Sequence, residues 1–234
     1  MHAFRFDELA STEPGSLFCL DPREESHLFR ILRARPGETV ALLNGHGTTG
    51  TAVVDADRRL RLESKRTVPP PASRLHLYFA PPKKQKLDAL LKQAVELGVS
   101  ELVPMLCERS VVQPGESSVA GRWIDLLFEA CKQSGNPFLP AVAQPMPFSA
   151  ALARAGETCG ALIVGSNRTG VFPDLGTASD AAFFVGPEGG FTDAETEAMF
   201  AAGAIPLRIG EWTLRVETAA IAGLGVLNVL MNRP

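Results

Sequence analysis

The sequence predicts an α/β fold in which a parallel sheet is covered on both faces and preceded by a small β module. Three observations carry this. Apolar β-type runs alternate with helical ones from Leu75 onward, short alternating strands cluster before Ser64, and the proline run Pro69-Pro70-Pro71 separates the two patterns. Consecutive prolines remove amide donors and favour extended backbone, so the boundary is placed there, with expected domains at 1–70 and 74–234.

In the first region Asp21-Pro22 joins an N-cap to a first-turn proline, and Leu28, Ile31 and Leu32 recur at helical spacing up to Pro36. Residues 39–43 and 48–54 read as strands around the turn Asn44-Gly45-His46-Gly47, and residues 59–63 alternate at strand period. A β-barrel-like module is expected. In the second region residues 75–79, 102–106, 161–164, 181–185 and 206–209 read as strands. Residues 87–97, 121–131, 193–202 and 216–231 read as helices, the first closed by Gly98.

Composition excludes several classes. With 234 residues, 45% apolar, 21% charged and a net charge of −3, the chain is globular and neither disordered nor fibrous. It is not basic, so contact with nucleic acid must rest on local patches. The 15 uncharged residues from Thr218 to Asn232 fall short of the roughly 20 that span a bilayer, and the longer uncharged stretch Gln133–Ala153 holds four prolines. Charges at Arg5, Asp7 and Glu8 occupy the place of a signal peptide's apolar run. A cytoplasmic protein without membrane association is expected. Cys19, Cys107, Cys131 and Cys159 form no CxxC and have no nearby His pair, which points to reduced, apolar thiols and no bound metal.

Two segments carry chemistry. Phe184-Val185-Gly186-Pro187-Glu188-Gly189-Gly190-Phe191 runs from a strand into a loop whose glycines let a ligand approach the main chain. In an α/β sheet such a loop, at a strand's carboxyl end, is where ligands bind. Without GxGxxG or P-loop spacing, a tight structural turn serves the pattern equally well. Leu207 to Ala219 again runs from strand through glycine into a helix, and sets Arg215 and Glu217 at the helix start. A cation there opposes the helix dipole, so its presence points to function, although a simple structural pairing of Arg215 with Glu217 fits as well.

Together these segments resemble the SPOUT methyltransferases, specifically the RsmE family of 16S rRNA uridine methyltransferases. The resemblance extends to Lys92-Gln93-Ala94-Val95-Glu96-Leu97-Gly98-Val99, Glu108-Arg109-Ser110, Glu129-Ala130-Cys131-Lys132-Gln133-Ser134-Gly135 and His27-Leu28-Phe29-Arg30-Ile31-Leu32-Arg33, in the family's order. It implies an N-terminal PUA-like RNA-binding barrel and a SPOUT domain with a C-terminal deep trefoil knot, a feature no periodicity predicts. It further implies S-adenosylmethionine as cofactor, a homodimer, and methylation of N3 of one uridine in the decoding region of 16S rRNA, on the assembled 30S subunit.

Carried over residue by residue, the resemblance gives three cofactor walls: Gly186, Pro187, Glu188, Gly189 and Gly190; Ile209, Gly210, Leu214 and Ala219; and the loop after Val164-Gly165. A side chain at Gly189 is expected to enter the ligand's space. Arg215 is the candidate for stabilising charge on the uracil oxygens, with Glu217 positioning it or assisting proton removal. Glu211-Trp212-Thr213 departs from the family's usual proline, basic and apolar residues. Basic candidates for RNA contact are Arg30, Arg33 and Arg35, at helix-compatible spacings, with Lys83, Lys84 and Lys86 after Pro81-Pro82, and Arg109. Three other readings remain at this point: a noncatalytic RNA-binding or ribosome-assembly factor, a methyltransferase acting on another RNA, and an α/β enzyme whose glycine loop holds a phosphate or nucleotide.

Overall fold

The computed structural model describes residues 1–115, 119–167 and 170–231. The chain forms two compact units, Met1–Pro70 with Phe128–Leu139, and Pro71–Leu127 with Pro140–Pro234. The proline run marks the first crossing between them; the grouping of residues 128–139 with the first unit has a local cause in the Asn44–Gly47 turn. Gly47 N donates to Pro137 O at 2.9 Å and Leu139 N to Gly45 O at 2.8 Å, while His46 bridges Phe138. Gly45 and Gly47 take φ of +76° and +89°, and a Cβ on Gly47 would lie 2.7 Å from the Phe138 ring. The turn is glycine-rich because another segment packs on it.

The first unit holds a five-stranded sheet of β1 (Ala3–Arg5), β2 (Leu17–Phe18), β3 (Thr39–Leu43), β4 (Thr48–Val54) and β5 (Leu60–Thr67). Their order is β1-β3-β4-β5-β2, and only the β1–β3 pair is parallel. Asp21 caps the helix Pro22–Ser26, its Oδ1 accepting from Arg23 N at 2.8 Å and Glu24 N at 3.1 Å. The chain then widens into a π turn, His27–Ile31, where Leu32 N bonds to His27 O five residues back. That extra residue rotates the expected apolar stripe: Leu28 is buried, but Ile31 is 70% exposed. Arg33, at φ +56°, ends the helix, so Arg30, Arg33 and Arg35 are all exposed without sharing the helical face that their spacing suggested. Lys132 pairs with Glu24 at 2.8 Å, both side chains under 10% exposed, and also with Glu129. Removing either member of such a buried pair strands the other.

The second unit is a parallel sheet of β6 (Arg74–Phe79), β7 (Glu101–Leu106), β8 (Ala141–Val142), β9 (Met146–Pro147), β10 (Ala161–Gly165), β11 (Asp180–Val185) and β12 (Ile205–Leu207). Its order is β12-β10-β11-β6-β7-β8, with β9 also paired to β7. All six residues of β11 are buried, as expected of a central parallel strand covered on both faces. On one face Tyr78, Val164 and Phe184 meet Phe148, Ala151 and Ala155 of the helix Phe148–Thr158 and Met199 of the helix Asp193–Ala201. On the other, Phe183 lies against the C-terminal helix Val216–Met231, where a Cβ on Gly223 would fall 2.2 Å from its ring. The helix Lys84–Glu96 packs beside that C-terminal helix. The proline-rich uncharged stretch conceals the helix at Phe148, which begins directly after Pro147.

At the amino ends of β6, β7 and β11 an ionic network bridges three strands. His76 Nδ1 lies 2.9 Å from Glu101 Oε2 and its Nε2 3.3 Å from Asp180 Oδ1; Arg154 bonds Glu101, and Arg74 lies 2.6 Å from Asp180. With a carboxylate at each ring nitrogen, only the imidazolium donates to both. The Glu101 hydrogen bond, with Asp180 in support, holds His76 above its ordinary value despite burial. Burial acts to raise Glu101 and Asp180, but His76 with Arg154, and Arg74 with Ser179 and His76, outweigh it and hold both below the usual carboxylate range. The raised His76 value gives stability that is complete below its unfolded pKa and lost as pH rises through the folded one; the lowered carboxylates give stability lost as pH falls through theirs. Thermal scans from about pH 6 to about pH 9 are therefore expected to show a decline that His76→Leu flattens. The same substitution lowers Tm near neutrality by roughly 4 °C, for a cost of about 2 kcal/mol.

The four cysteines are free thiols, and burial pushes Cys107 and Cys131 up to about 12.

Candidate active site at the carboxyl edge of the sheet

Five adjacent parallel strands release their loops at one edge, and those loops carry the second unit's candidate residues. Gly165 pairs with Leu207 and Val164 with Phe184, so β10, β11 and β12 end level. β11 and β12 flank β10, which sets their loops two strand spacings apart, about 10 Å. β6 and β7 continue the edge and deliver Lys83, Lys84 and Lys86, and then Arg109.

The loop after β11 is a clasped turn. Gly190 N donates to Pro187 O at 2.8 Å, and Gly190 takes φ +71°, which favours glycine. Pro187 is buried and Glu188 exposed. A Cβ on Gly186 would touch the Phe191 ring at 3.0 Å, while one on Gly190 meets nothing within 4 Å. Thr192 and Glu195 form a reciprocal capping box at the next helix, and Glu195 Oε1 also accepts from Glu108 N at 2.9 Å. Arg109, expected to face RNA, donates from Nη1 to Gly189 O at 3.0 Å and to Phe191 O at 3.4 Å. Gly189 consequently faces protein: its Cβ would lie 3.2 Å from the Arg109 side chain.

The loops after β10 and β12 are fastened to each other. Ser166 N donates to Leu207 O at 2.9 Å, Val171 N to Pro206 O at 3.0 Å, and Asn167 Nδ2 to Thr213 Oγ1 at 3.1 Å. Gly170 comes so close to Arg208 that a Cβ would lie 2.3 Å from its Cβ and 2.4 Å from its backbone N. Arg208 folds over its own turn, Nε donating to Gly210 O at 3.1 Å and Nη2 to Glu211 O at 3.3 Å. A Cβ on Gly210 meets nothing within 4 Å, and Ile209, Leu214 and Ala219 are half-buried beside it. Val164, expected to line the site, is 3% exposed and its side chain belongs to the core. Residues 168 and 169 of the third expected wall lie outside the described residues.

The helix Val216–Met231 starts where the β12 loop ends. Arg215 is exposed with no side-chain partner among the described residues, and its carbonyl accepts from Ala219 N at 2.8 Å. The alternative of an Arg215–Glu217 pair is not what the geometry shows. Glu217 Oε1 instead lies 3.7 Å from Lys86 Nζ, and Glu217 Oε2 is buried with no hydrogen-bond partner among the described residues. Lys86 is half-buried in that contact, whereas Lys83 and Lys84 are exposed at the edge. Edge loops braced from both sides, with a guanidinium and a buried acceptor that have no partner among the described residues, make a site for a polar, partly apolar ligand.

Comparison with known proteins agrees with this architecture. A family model described as an RNA methyltransferase domain matches residues 69–228, and one described as an RNA methyltransferase PUA domain matches 20–62. The chain is 29% identical to the ribosomal RNA small subunit methyltransferase E of Mycobacterium bovis, covering 98% of this chain and 92% of that one. It is also 29% identical to that of Aquifex aeolicus, covering 99% and 100%. The crystal structure of the Neisseria gonorrhoeae ribosomal RNA small subunit methyltransferase E bound to S-adenosyl methionine superposes with a TM-score of 0.86 at 28% identity, covering 98% of each chain. The parallel sheet is thus an α/β methyltransferase fold and the first unit carries a PUA-like domain. With two family models in tandem and relatives matched over nearly their whole length, the chain belongs to the RNA methyltransferase family, of the RsmE type that its motifs resemble.

Proposed function

We propose that this protein is an S-adenosylmethionine-dependent methyltransferase acting on N3 of a uridine in the decoding region of 16S rRNA, as a homodimer in the cytoplasm, with the assembled 30S subunit as substrate. The observation that carries the reading is the convergence of the loops after β10, β11 and β12 on one edge, with Arg215 beside them and without a side-chain partner among the described residues. The knot expected from the family would draw these same loops together.

The residues present fit the cofactor. Open space at Gly190 and Gly210, the buried ring of Pro187 and the half-buried Ile209, Leu214 and Ala219 offer apolar walls and accessible main chain for an adenine. When bound, S-adenosylmethionine supplies an electrophilic methyl group on a sulfonium. The chain's own residues do the rest. Arg215 compensates negative charge on the uracil oxygens as N3 loses its proton, and Glu217, held from one side by Lys86, offers the acceptor through Oε2. Orientation of N3 on the edge supplies a large part of the rate. Exposed Arg30, Arg33 and Arg35 in the PUA-like unit and Lys83 and Lys84 at the edge serve phosphate contact, making binding steeply salt-dependent.

Transfer of labelled methyl to ribosomal components lacking the modification tests the reading. Label is expected in 16S rRNA of intact 30S subunits, as N3-methyluridine, with far less in protein-free rRNA. Label in another RNA, or none despite cofactor binding measured by calorimetry, rejects the substrate assignment. Binding of ATP without S-adenosylmethionine rejects the chemistry.

A further inference from the structure

Trp212 is 77% exposed, the highest value for any large aromatic side chain among the described residues, whereas the other tryptophan, Trp123, is 1% exposed. A buried tryptophan gains more from the hydrophobic effect than almost any other residue, so one left in water needs an explanation. The loop is braced before Trp212 by Arg208, whose guanidinium holds the Gly210 and Glu211 carbonyls, and after it by the Asn167–Thr213 bond. A braced turn therefore holds the indole in solvent at the carboxyl edge, three residues along the chain from Arg215, which has no side-chain partner among the described residues, and four from the exposed Arg208.

An exposed aromatic face on a segment with arginines before and after it suits an unpaired nucleobase: every base has a face that stacks, and nearby cations attract its phosphates. We propose that Trp212 is a stacking platform for an unpaired base of the RNA substrate at the active site. The proposal rests on the methyltransferase reading for the identity of the RNA, but not for the existence of the platform. The exposed Val171 and Phe172 lie on the neighbouring β10 loop and would suit a second copy of the chain. Arg208 and Arg215, on either side of Trp212 along the chain, favour nucleic acid instead.

With one tryptophan buried and one exposed, fluorescence reads the site directly. Titration with a single-stranded oligoribonucleotide of uridines and adenosines is expected to quench the exposed emission in wild type and leave W212F, which retains only Trp123, unchanged. W212A is expected to bind that oligonucleotide roughly tenfold more weakly, about the loss of one stacked base. W212F should stay close to wild type in affinity, because phenylalanine still stacks. The salt dependence of binding should be the same in W212A as in wild type, since stacking releases no counterions. Calorimetry with S-adenosylmethionine should give wild-type affinity for W212A, which keeps this test separate from the cofactor assignment. Absence of quenching with unchanged W212A affinity overturns the proposal. So does a concentration-dependent blue shift without RNA that tracks self-association, because the indole would then be covered by a second copy.

Discussion

Arg215→Ala is expected to lower methyl transfer to 30S subunits by roughly 100-fold or more, the usual loss when a charge-stabilising group is removed from a transition state. Cofactor affinity and Tm should scarcely move. The side chain has no partner among the described residues, and the backbone carbonyl that receives Ala219 N survives the substitution, so the helix start stays intact. Exposed substitutions of this kind shift stability by about 0.5 kcal/mol or less. Single-turnover rates, calorimetry with S-adenosylmethionine and a thermal scan on one preparation check it. Equal losses in all three would make Arg215 a structural residue. Glu217 should remain beside Lys86 in the variant, so a simultaneous collapse of the site is not expected.

Gly170→Ala is expected to cost cofactor binding without unfolding the sheet. The added Cβ would meet Arg208 backbone and Cβ at 2.4 and 2.3 Å, distances that side-chain rotation cannot relieve. The β10 and β12 loops must part, breaking the Val171–Pro206 bond and slackening the turn that carries Ile209 and Gly210. Overpacking of this kind costs about 1–3 kcal/mol, and each 1.4 kcal/mol that reaches the ligand weakens it about tenfold. Calorimetry is expected to show at least that loss. Gly156→Ala, on a helix position where a Cβ meets nothing within 4 Å, is the control and should raise Tm slightly. If Gly170→Ala binds the cofactor as wild type does, the two loops do not act as one wall.

Periodicity and punctuation made much of the second unit legible. Strand runs such as residues 181–185 are buried on both faces and therefore continuously apolar, and Gly98 and Pro69-Pro70-Pro71 mark stops that backbone chemistry enforces. What stayed hidden was set by tertiary contact. Nothing local announces that Gly47 must be glycine because of Phe138, or that residues 128–139 group with the first unit. Ile31 fits the helical stripe in sequence and is exposed because a π turn intervenes.

The candidate site divides in the same way. The glycine loops and the Arg215–Glu217 segment were visible as strand-to-helix turns. The partners of Glu217, Arg109 and Gly189 were not, because Lys86, the Gly189 carbonyl and the Arg109 side chain come from separate strands of the edge. The capping box at the helix Asp193–Ala201 does carry a sequence signal, Thr192-x-x-Glu195. The network at His76 had none, since its members lie on strands 25 to 104 residues apart.

A crystal structure of the protein with S-adenosylmethionine is the most direct test of the central claim. Electron density for the adenosine is expected between the turn at Gly186–Gly190 and the turn at Ile209–Leu214, with the methyl-bearing sulfur open toward Arg215. Density for the cofactor elsewhere on the chain, or side chains filling the gap between those turns in the complex, would contradict it.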